Sequence, residues 1–194
     1  MPKQNPCLKA FQICGEKGRE FQRFLDERWP GFSCECSSVS PYSSGTVANG
    51  EDVVRLVIHP IHYDNGKLTA TAFEDLTNYD LSVFRVQKSK RQEVEKTRNE
   101  LVARGLSKNP PTVRMIDLVC RAAVSDIRQK VDSNGRMLGV YDTALESCTG
   151  HASVFSRSDL LSDRRSRFQA RQIAYQIFSA RIDSLDAALD EMIQ

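Results

Sequence analysis

The stretch Val53-Val54-Arg55-Leu56-Val57-Ile58 decides the fold, because its β-branched residues predict a strand. It is too apolar for the edge of a sheet, so we expect it in a central position. Asp64-Asn65-Gly66 follows as a turn signal, since its residues are suited to positive φ. The segment 81–86 then has the alternation of a second strand.

Further along the chain the pattern changes to a helix and then returns to strands. Residues 88–104 predict a charged helix with Gly105 as its C-cap. The segment 113–124 predicts a strand that carries on one face Ile116, Leu118, Cys120, Ala122 and Val124. A helix from Ile116 onward is the competing interpretation, because alanines do not favour a strand. Shorter strands are predicted at 137–141 and 152–155.

The amino-terminal part of the chain predicts one helix followed by a loop. Residues 15–29 place four large side chains on one helical stripe, namely Phe21, Phe24, Leu25 and Trp29. Residues 33–50 are rich in Ser, contain Pro and Gly, and hold few large apolar residues. This composition indicates a mobile loop or linker without core residues.

A long helix is predicted at the carboxyl end, with Ser158 or Ser162 as its N-cap. A helix of about 35 residues would span roughly 50 Å. Either part of its apolar seam therefore extends beyond the sheet, or the helix breaks near Asp183-Ser184 and packs on the sheet. Under the first alternative we expect a protein partner or a second copy to bind Phe178, Ile182, Leu185, Leu189 and Met192.

Together these patterns predict an α+β protein with a small mixed or antiparallel sheet, flanking helices and a long C-terminal helix. The expected organisation has four parts. These are an N-terminal helical segment (1–32), a Ser-rich loop or linker (33–52), an α+β core (53–156) and a C-terminal helical segment (157–194).

Composition excludes several classes of protein. The 194 residues are 40% hydrophobic and 27% charged, which is ordinary for a globular chain. We expect no membrane span and no secretory signal, because no long apolar run occurs, and therefore a cytoplasmic location.

All six cysteines are expected to be free thiols. Cys34-Glu35-Cys36 lacks the spacing of a zinc knuckle, so no metal and no cofactor is predicted.

Charge is unevenly distributed although the net charge is only +2. Residues 81–136 carry thirteen basic and six acidic side chains, whereas residues 182–194 carry four acids and no base. Such asymmetry can attract a polyanion. A nucleic-acid partner is not favoured, because no Phe or Tyr is interleaved with the basic side chains of residues 88–108.

The candidates for chemistry are the three histidines and one arginine. His59 and His62 follow the first strand, and His151 begins a later one. Two strand-end histidines could act as base and acid, and Arg85 could neutralise a phosphate. The alternative is that each histidine bonds local backbone and only completes a turn. No compact P-loop, dinucleotide-binding, nucleophile-elbow or zinc-protease motif occurs.

Several short elements resemble a pattern in small uncharacterised bacterial proteins. There an H-P element precedes an A-F and an L-S-V-x-R, and an H-A dipeptide comes late; here these are His59-Pro60, Ala72-Phe73, the segment 81–85 and His151-Ala152. The resemblance covers residues 53–156 and carries no known activity. It implies a bacterial origin, with a defence or mobile-element gene cluster as one setting.

The sequence therefore predicts a non-catalytic binding or accessory protein of a bacterial system. The missing catalytic motifs, the uneven charge and the apolar C-terminal seam support this interpretation. The alternative is a small histidine-dependent enzyme that acts on a phosphate-containing or nucleotide substrate through His59, His62, His151 and Arg85. The two differ in geometry, because only an enzyme needs those side chains around one cavity.

Overall fold

The computed structural model describes residues 7, 19–37, 40–78 and 80–194. The α-helices are α1 Arg19–Arg28, α2 Asp75–Asn78, α3 Arg91–Leu106, α4 Val124–Arg128, α5 Arg164–Phe178 and α6 Leu185–Asp190. The strands are β1 Asp52–His59, β2 Tyr63–Asp64, β3 Lys67–Leu68, β4 Leu81–Arg85, β5 Met115–Ala123, β6 Val131–Asp132, β7 Gly135–Arg136, β8 Leu138–Asp142, β9 His151–Ser156 and β10 Ile182–Ser184. Short 3₁₀ helices occupy Pro30–Cys36, Ala70–Phe73 and Ser158–Leu161.

Six strands form one antiparallel sheet in the order β10-β5-β1-β4-β9-β8. Strand β1 lies inside the sheet between β5 and β4, so the predicted central position of this strand is confirmed. The α+β class is confirmed as well. For the segment 113–124 the strand interpretation holds, because β5 pairs with β1 over most of its length.

A β-bulge changes which face of the sheet part of β5 presents. Val57 pairs with Leu118 and His59 with Met115, so β5 has one extra residue between these two pairs. Ile116 consequently packs on the opposite face from Leu118. The prediction that both lie on one face was wrong, because strict alternation assumes an uninterrupted ladder.

The two faces of the sheet carry separate hydrophobic clusters. Helix α5 covers the first, which we call the α5 face, with Ala170, Ala174 and Phe178 against strand residues such as Val53 and Val83. Helices α3 and α6 cover the second, the α3 face. Gly105 lies within α3 and Ser107 is the C-cap, so the prediction of Gly105 as the cap was wrong.

The carboxyl end is interrupted rather than one continuous helix. Helix α5 ends at Phe178, strand β10 joins the sheet, and the Ser184 side chain caps α6 by accepting from the Ala187 backbone N–H at 3.2 Å. The predicted break near Asp183-Ser184 is therefore present. The N-cap of α5 is Asp163, not Ser158 or Ser162, because its carboxylate accepts from two backbone N–H groups.

The break redistributes the predicted partner-binding seam. Phe178 is buried on the α5 face, and three residues are buried on the α3 face, namely Leu185, Leu189 and Met192. Only Ile182 remains exposed. Since four of the five side chains pack within their own chain, they offer no surface to a partner in this fold.

The segment after α1 contributes to the core. Phe32 and Cys34 are buried in a third cluster with Tyr141 and Phe155, against which the predicted α1 stripe packs. Cys34 forms a disulfide with Cys7, and Val47 is buried on the α5 face. The expectation of a loop without core residues was wrong for Cys34 and Val47.

The disulfide also corrects the prediction that all cysteines are free. Among the described residues Cys36, Cys120 and Cys148 are free thiols, and Cys14 lies outside the described part of the chain. Disulfides are typical of oxidising compartments, so this one does not favour the expected cytoplasmic location. No helix within the described ranges has both the length and the apolar character to cross a bilayer.

Candidate functional site

The three histidines lie at two ends of the sheet. His59 ends β1, and His62 lies in the turn that follows. His151 pairs with Phe84, which in turn pairs with Val54 near the start of β1. Val54 and His59 are five positions apart on β1, about 16 Å along the strand. His151 therefore does not share a cleft with either of the others.

His62 is held by its own turn. Its Nδ1 accepts a hydrogen bond from the Ile58 backbone N–H at 3.2 Å, and its backbone N–H donates to the Ile58 carbonyl. Burial, helped by the positive charge of Arg55, lowers the pKa of His62 to about 4. The imidazole is thus neutral and completes the turn that closes β1.

His151 belongs to a hydrogen-bond chain among short polar side chains. Its Nδ1 lies 2.9 Å from the hydroxyl of Thr143, which lies 2.8 Å from the hydroxyl of Ser153. The Ser153 hydroxyl donates to the carboxylate of Asp80. Burial lowers the pKa of His151. These bonds join the ends of β8 and β9 to the start of β4.

Arg85 is a structural anchor. It is only 1% exposed, and its guanidinium binds both carboxylate oxygens of Glu51, at 2.7 and 2.8 Å. It also donates to the carbonyls of Gly45 and Thr46, which fixes the preceding loop. Burial would raise the pKa of Glu51, but the hydrogen bonds from Arg85 and the Ala48 backbone, together with the positive charge of Arg85, lower it below its ordinary value. The charge of Arg85 is already neutralised, so it does not face a substrate.

The candidate acid–base set is therefore not assembled. His62 and His151 are engaged in separate local hydrogen bonds, and Arg85 is paired within the core. Of the four predicted catalytic residues, His59 lines a cavity at the end of β1.

That cavity lies at the end of β1, beside the bulge in β5. Its volume is about 200 Å³, and its lining consists of Val57, His59, Tyr63, Gly66, Met115, Asp117 and Leu118. Val57 and Leu118 belong to the α5 face of the core, so the cavity opens where this core reaches the surface. Small-molecule sites usually enclose about 300–1,000 Å³, so this one is closer in size to a single large side chain.

Strand β5 extends past its neighbour at this point. Strand β10 reaches only to Leu118, so the described pairing leaves Met115–Asp117 without a partner on that side. We call residues 113–117, with the cavity, the open end of β5. Val113 is 71% exposed and Met115 54%. Met115 also lines the cavity, and an exposed apolar side chain at a cavity is the kind of surface that binding sites use.

Basic side chains flank the open end. The Arg98 Nε donates to the Ile116 carbonyl at 2.9 Å, and the Arg114 side chain donates to the Leu101 carbonyl at 3.1 Å. The Thr112 backbone N–H donates to the Gly105 carbonyl at 3.0 Å. These bonds hold the second half of α3 against the start of β5. That half exposes Arg98 and Arg104, and Lys108 is exposed just after the helix.

The sequence indicated this site only in part. Its pattern marked His59 as a strand-end residue, and Val113 and Met115 alternate with Arg114 and Ile116. Nothing in that alternation reveals that β10 stops at Leu118. How far β10 extends along β5 is decided only when the sheet is assembled. The sequence analysis therefore missed the exposed edge.

The lining also limits what the site could hold. No group of three or more His, Cys, Asp or Glu side chains arranged for a metal ion occurs in the described part of the chain.

No protein-family model, no curated protein and no solved structure matches this chain. The site is therefore interpreted from its own geometry.

Proposed function

We propose that this chain is a non-catalytic binding protein whose site is the open end of β5. The occupant is an apolar side chain from a short segment of another polypeptide. The observation that carries the proposal is the cavity of about 200 Å³ beside the exposed Met115. Its size suits one large side chain, and its lining includes the apolar Val57 and Leu118.

The partner binds through side chains and does not add a strand to the sheet. The bulge at 116–117 disrupts the regular ladder, and Arg98 already donates to the Ile116 carbonyl. Bulges and charged side chains are the devices by which proteins protect sheet edges from unwanted pairing. A single anchored side chain needs no continuous run of backbone bonds.

The setting as an accessory protein of a bacterial system rests on the resemblance over residues 53–156. The cytoplasmic location is proposed from the sequence pattern, and the Cys7–Cys34 disulfide counts against it. Binding through the C-terminal seam is not part of it, because Leu185 and Leu189 are buried in the core. The described contacts of His62, His151 and Arg85 are separate local ones, and they do not support the histidine-dependent enzyme.

A selection from randomised peptides tests the proposal. A seven-residue phage library is panned on the wild-type chain, and the enriched peptides are synthesised and measured by fluorescence anisotropy. Met115→Glu should weaken their binding at least tenfold, because it places a charge at the mouth of an apolar cavity. Leu145→Glu is the matched control, since Leu145 is 49% exposed outside the open end and should leave affinity unchanged.

Two outcomes would contradict the proposal. One is the absence of any enriched peptide. The other is enrichment of peptides that bind wild type and Met115→Glu with equal affinity. Thermal melts of both variants should match the wild type, which shows that any loss of binding is local.

A further inference from the structure

We infer that the segment of a different protein that binds at the open end of β5 carries a lysine or arginine beside its apolar anchor, and that Asp117 binds this cation. The inference rests on the proposed function and adds the charge of the partner to it. It comes from the lining of the cavity, to which Asp117 supplies a carboxylate and Tyr63 an aromatic ring. A carboxylate and an aromatic face are two groups with which proteins hold an organic cation.

The charge of Asp117 is available to a partner. Asp117 lies in the part of β5 that β10 leaves unpaired, and it is exposed. In the described part of the chain no ion pair engages Asp117. Two other aspartates near this sheet edge differ in this respect, because Arg121 binds Asp52 at 3.4 Å and Asp183 at 2.9 Å. A cation that pairs with Asp117 would therefore come from a bound molecule.

The basic side chains next to β5 do not neutralise the cavity. Helix α3 covers the opposite face of the sheet from the one on which the cavity opens. Arg98 and Arg114 donate to backbone carbonyls on the α3 side, at 2.9 and 3.1 Å. In the β2–β3 hairpin beside the cavity, Lys67 lies opposite Asp64, so these two charges offset each other. The negative charge of Asp117 remains at the cavity.

Tyr63 and Met115 complete a site for a long basic side chain. Tyr63 is half-buried and packs against the core of the α5 face, which holds its ring at the cavity. Met115 is the exposed apolar side chain two positions before Asp117. Lysine and arginine bury their aliphatic stems along apolar surface and keep the charged end at a polar group. The stem can therefore contact Met115 while the charge reaches Asp117, and a guanidinium can in addition stack on the Tyr63 ring.

The same lining argues against a nucleic acid and against an acidic segment. Either would bring phosphate or carboxylate groups to the carboxylate of Asp117, and like charges repel. A segment with a basic residue beside an apolar one instead complements both features of the site, the apolar wall and the negative charge.

The experiment uses the peptides selected above and compares each with a version in which Lys and Arg are replaced by Gln. We expect Lys or Arg to be enriched beside the apolar anchor, and the Gln version to bind about two- to fivefold more weakly at low salt. Raising the salt from about 50 to about 300 mM should remove most of this difference, because exposed charges are screened. Asp117→Asn should weaken the basic peptide by the same factor and leave the Gln version unchanged. Asp126→Asn is the matched control, since Asp126 is exposed on α4, which follows the other end of β5.

An exchange of charges separates the role of Asp117 from any effect on folding. Asp117→Lys should bind the basic peptide about tenfold more weakly and should prefer a version in which Lys or Arg is replaced by Glu. A loss of structure cannot produce such a rescue. Tyr63→Leu should weaken the basic peptide about two- to fivefold more than the Gln version, and Tyr63→Phe, which keeps the ring, should bind both as the wild type does.

The outcomes separate the two proposals. If the basic and Gln peptides bind equally and Met115→Glu loses both, the inference on charge is wrong and the proposed function stands. If no peptide depends on Met115, the proposed function is wrong as well. Self-association of the chain in sedimentation that Met115→Glu abolishes would overturn the inference in favour of a second copy. Displacement of the peptides by single-stranded RNA or DNA would overturn it in favour of a nucleic acid.

Discussion

Both edges of the sheet carry backbone groups that could pair with another strand, and the two edges protect these groups in opposite ways. Edge strand β8 is covered: the Glu35 carboxylate accepts from the Val140 backbone N–H and binds Arg128 and Arg136, at 2.8 and 2.7 Å. A disulfide fixes the covering segment through Cys34. At the other edge, β10 has three residues and ends before β5 does. The bulge in β5 and the hydrogen bond from Arg98 to the Ile116 carbonyl protect the part of β5 that β10 leaves unpaired.

The contrast separates stability from binding. The β8 edge places a carboxylate that is 6% exposed among two arginines, so its cover is integral to folding. The open end of β5 leaves Val113 and Met115 in solvent, so little of the folding free energy depends on them. The side chains of a binding surface can be substituted without unfolding the protein only where they contribute little to the unfolding free energy. The exposed Val113 and Met115 meet that condition.

The largest effect is expected from removing the carboxylate of the covered edge. Glu35→Ala leaves Arg128 and Arg136 without their partner, and breaking a buried ion pair costs about 3–5 kcal/mol. Chemical denaturation should therefore show a large loss of unfolding free energy. Glu27→Ala is the control, because its pair with Arg23 is exposed and should contribute less than about 1 kcal/mol. Equal losses in the two variants would show that Glu35 is not integral to the fold.

Loss of the disulfide should weaken the same edge by a comparable amount. Cys7 and Cys34 are 27 residues apart, and closing a loop of this length stabilises a protein by about 3–4 kcal/mol. Dithiothreitol should lower the unfolding free energy of the wild type by this amount and leave Cys7→Ala unchanged. Cys36→Ser should respond to dithiothreitol as the wild type does, because Cys36 is a free thiol. A wild type insensitive to the reductant would contradict the pairing.

An acid-dependent loss of stability is expected from His62, beside the open end. Its pKa is about 4 in the fold against 6.5 unfolded, so the unfolded chain binds the proton first as the pH falls. Its contribution is fully present above pH 6.5 and falls by about 3 kcal/mol between there and pH 4. His62→Asn keeps an acceptor for the Ile58 N–H and should remove this part of the pH dependence. Identical pH profiles for the two proteins would disprove the assignment.

The smallest effect is expected at the exposed residues themselves. Met115→Ser and Val113→Ser should change the unfolding free energy by less than about 0.5 kcal/mol, as exposed substitutions usually do. Val57→Ser is the contrasting variant, because Val57 is buried beneath the cavity and its polar replacement should cost roughly 1–3 kcal/mol. A loss near that of Val57→Ser in either exposed variant would mean that the open end is packed.

Much of the fold was predictable because periodicity reports local burial. The run at 53–58 identified the central strand, and the alternation at 81–86 identified its neighbour β4. The N-cap at Ser184 was visible in the sequence, since a serine before an apolar helix is a local signal. The histidines were visible as strand-end residues, but their separation was not, because it depends on which strands pair and in what register.

The sequence by itself determined the α+β class and the main strands, since hydrophobic spacing acts over a few residues, and it offered the break near Asp183-Ser184 as one of two alternatives. Only the tertiary structure decided which side chains meet. It buried Phe178, Leu185 and Leu189 in the chain's own core, paired Cys7 with Cys34, and engaged Arg85 with Glu51. It also ended β10 at Ser184, opposite Leu118 of β5, and so exposed the end of β5. These contacts join residues far apart in the chain, and no local pattern encodes the free energy that selects one such pairing over another.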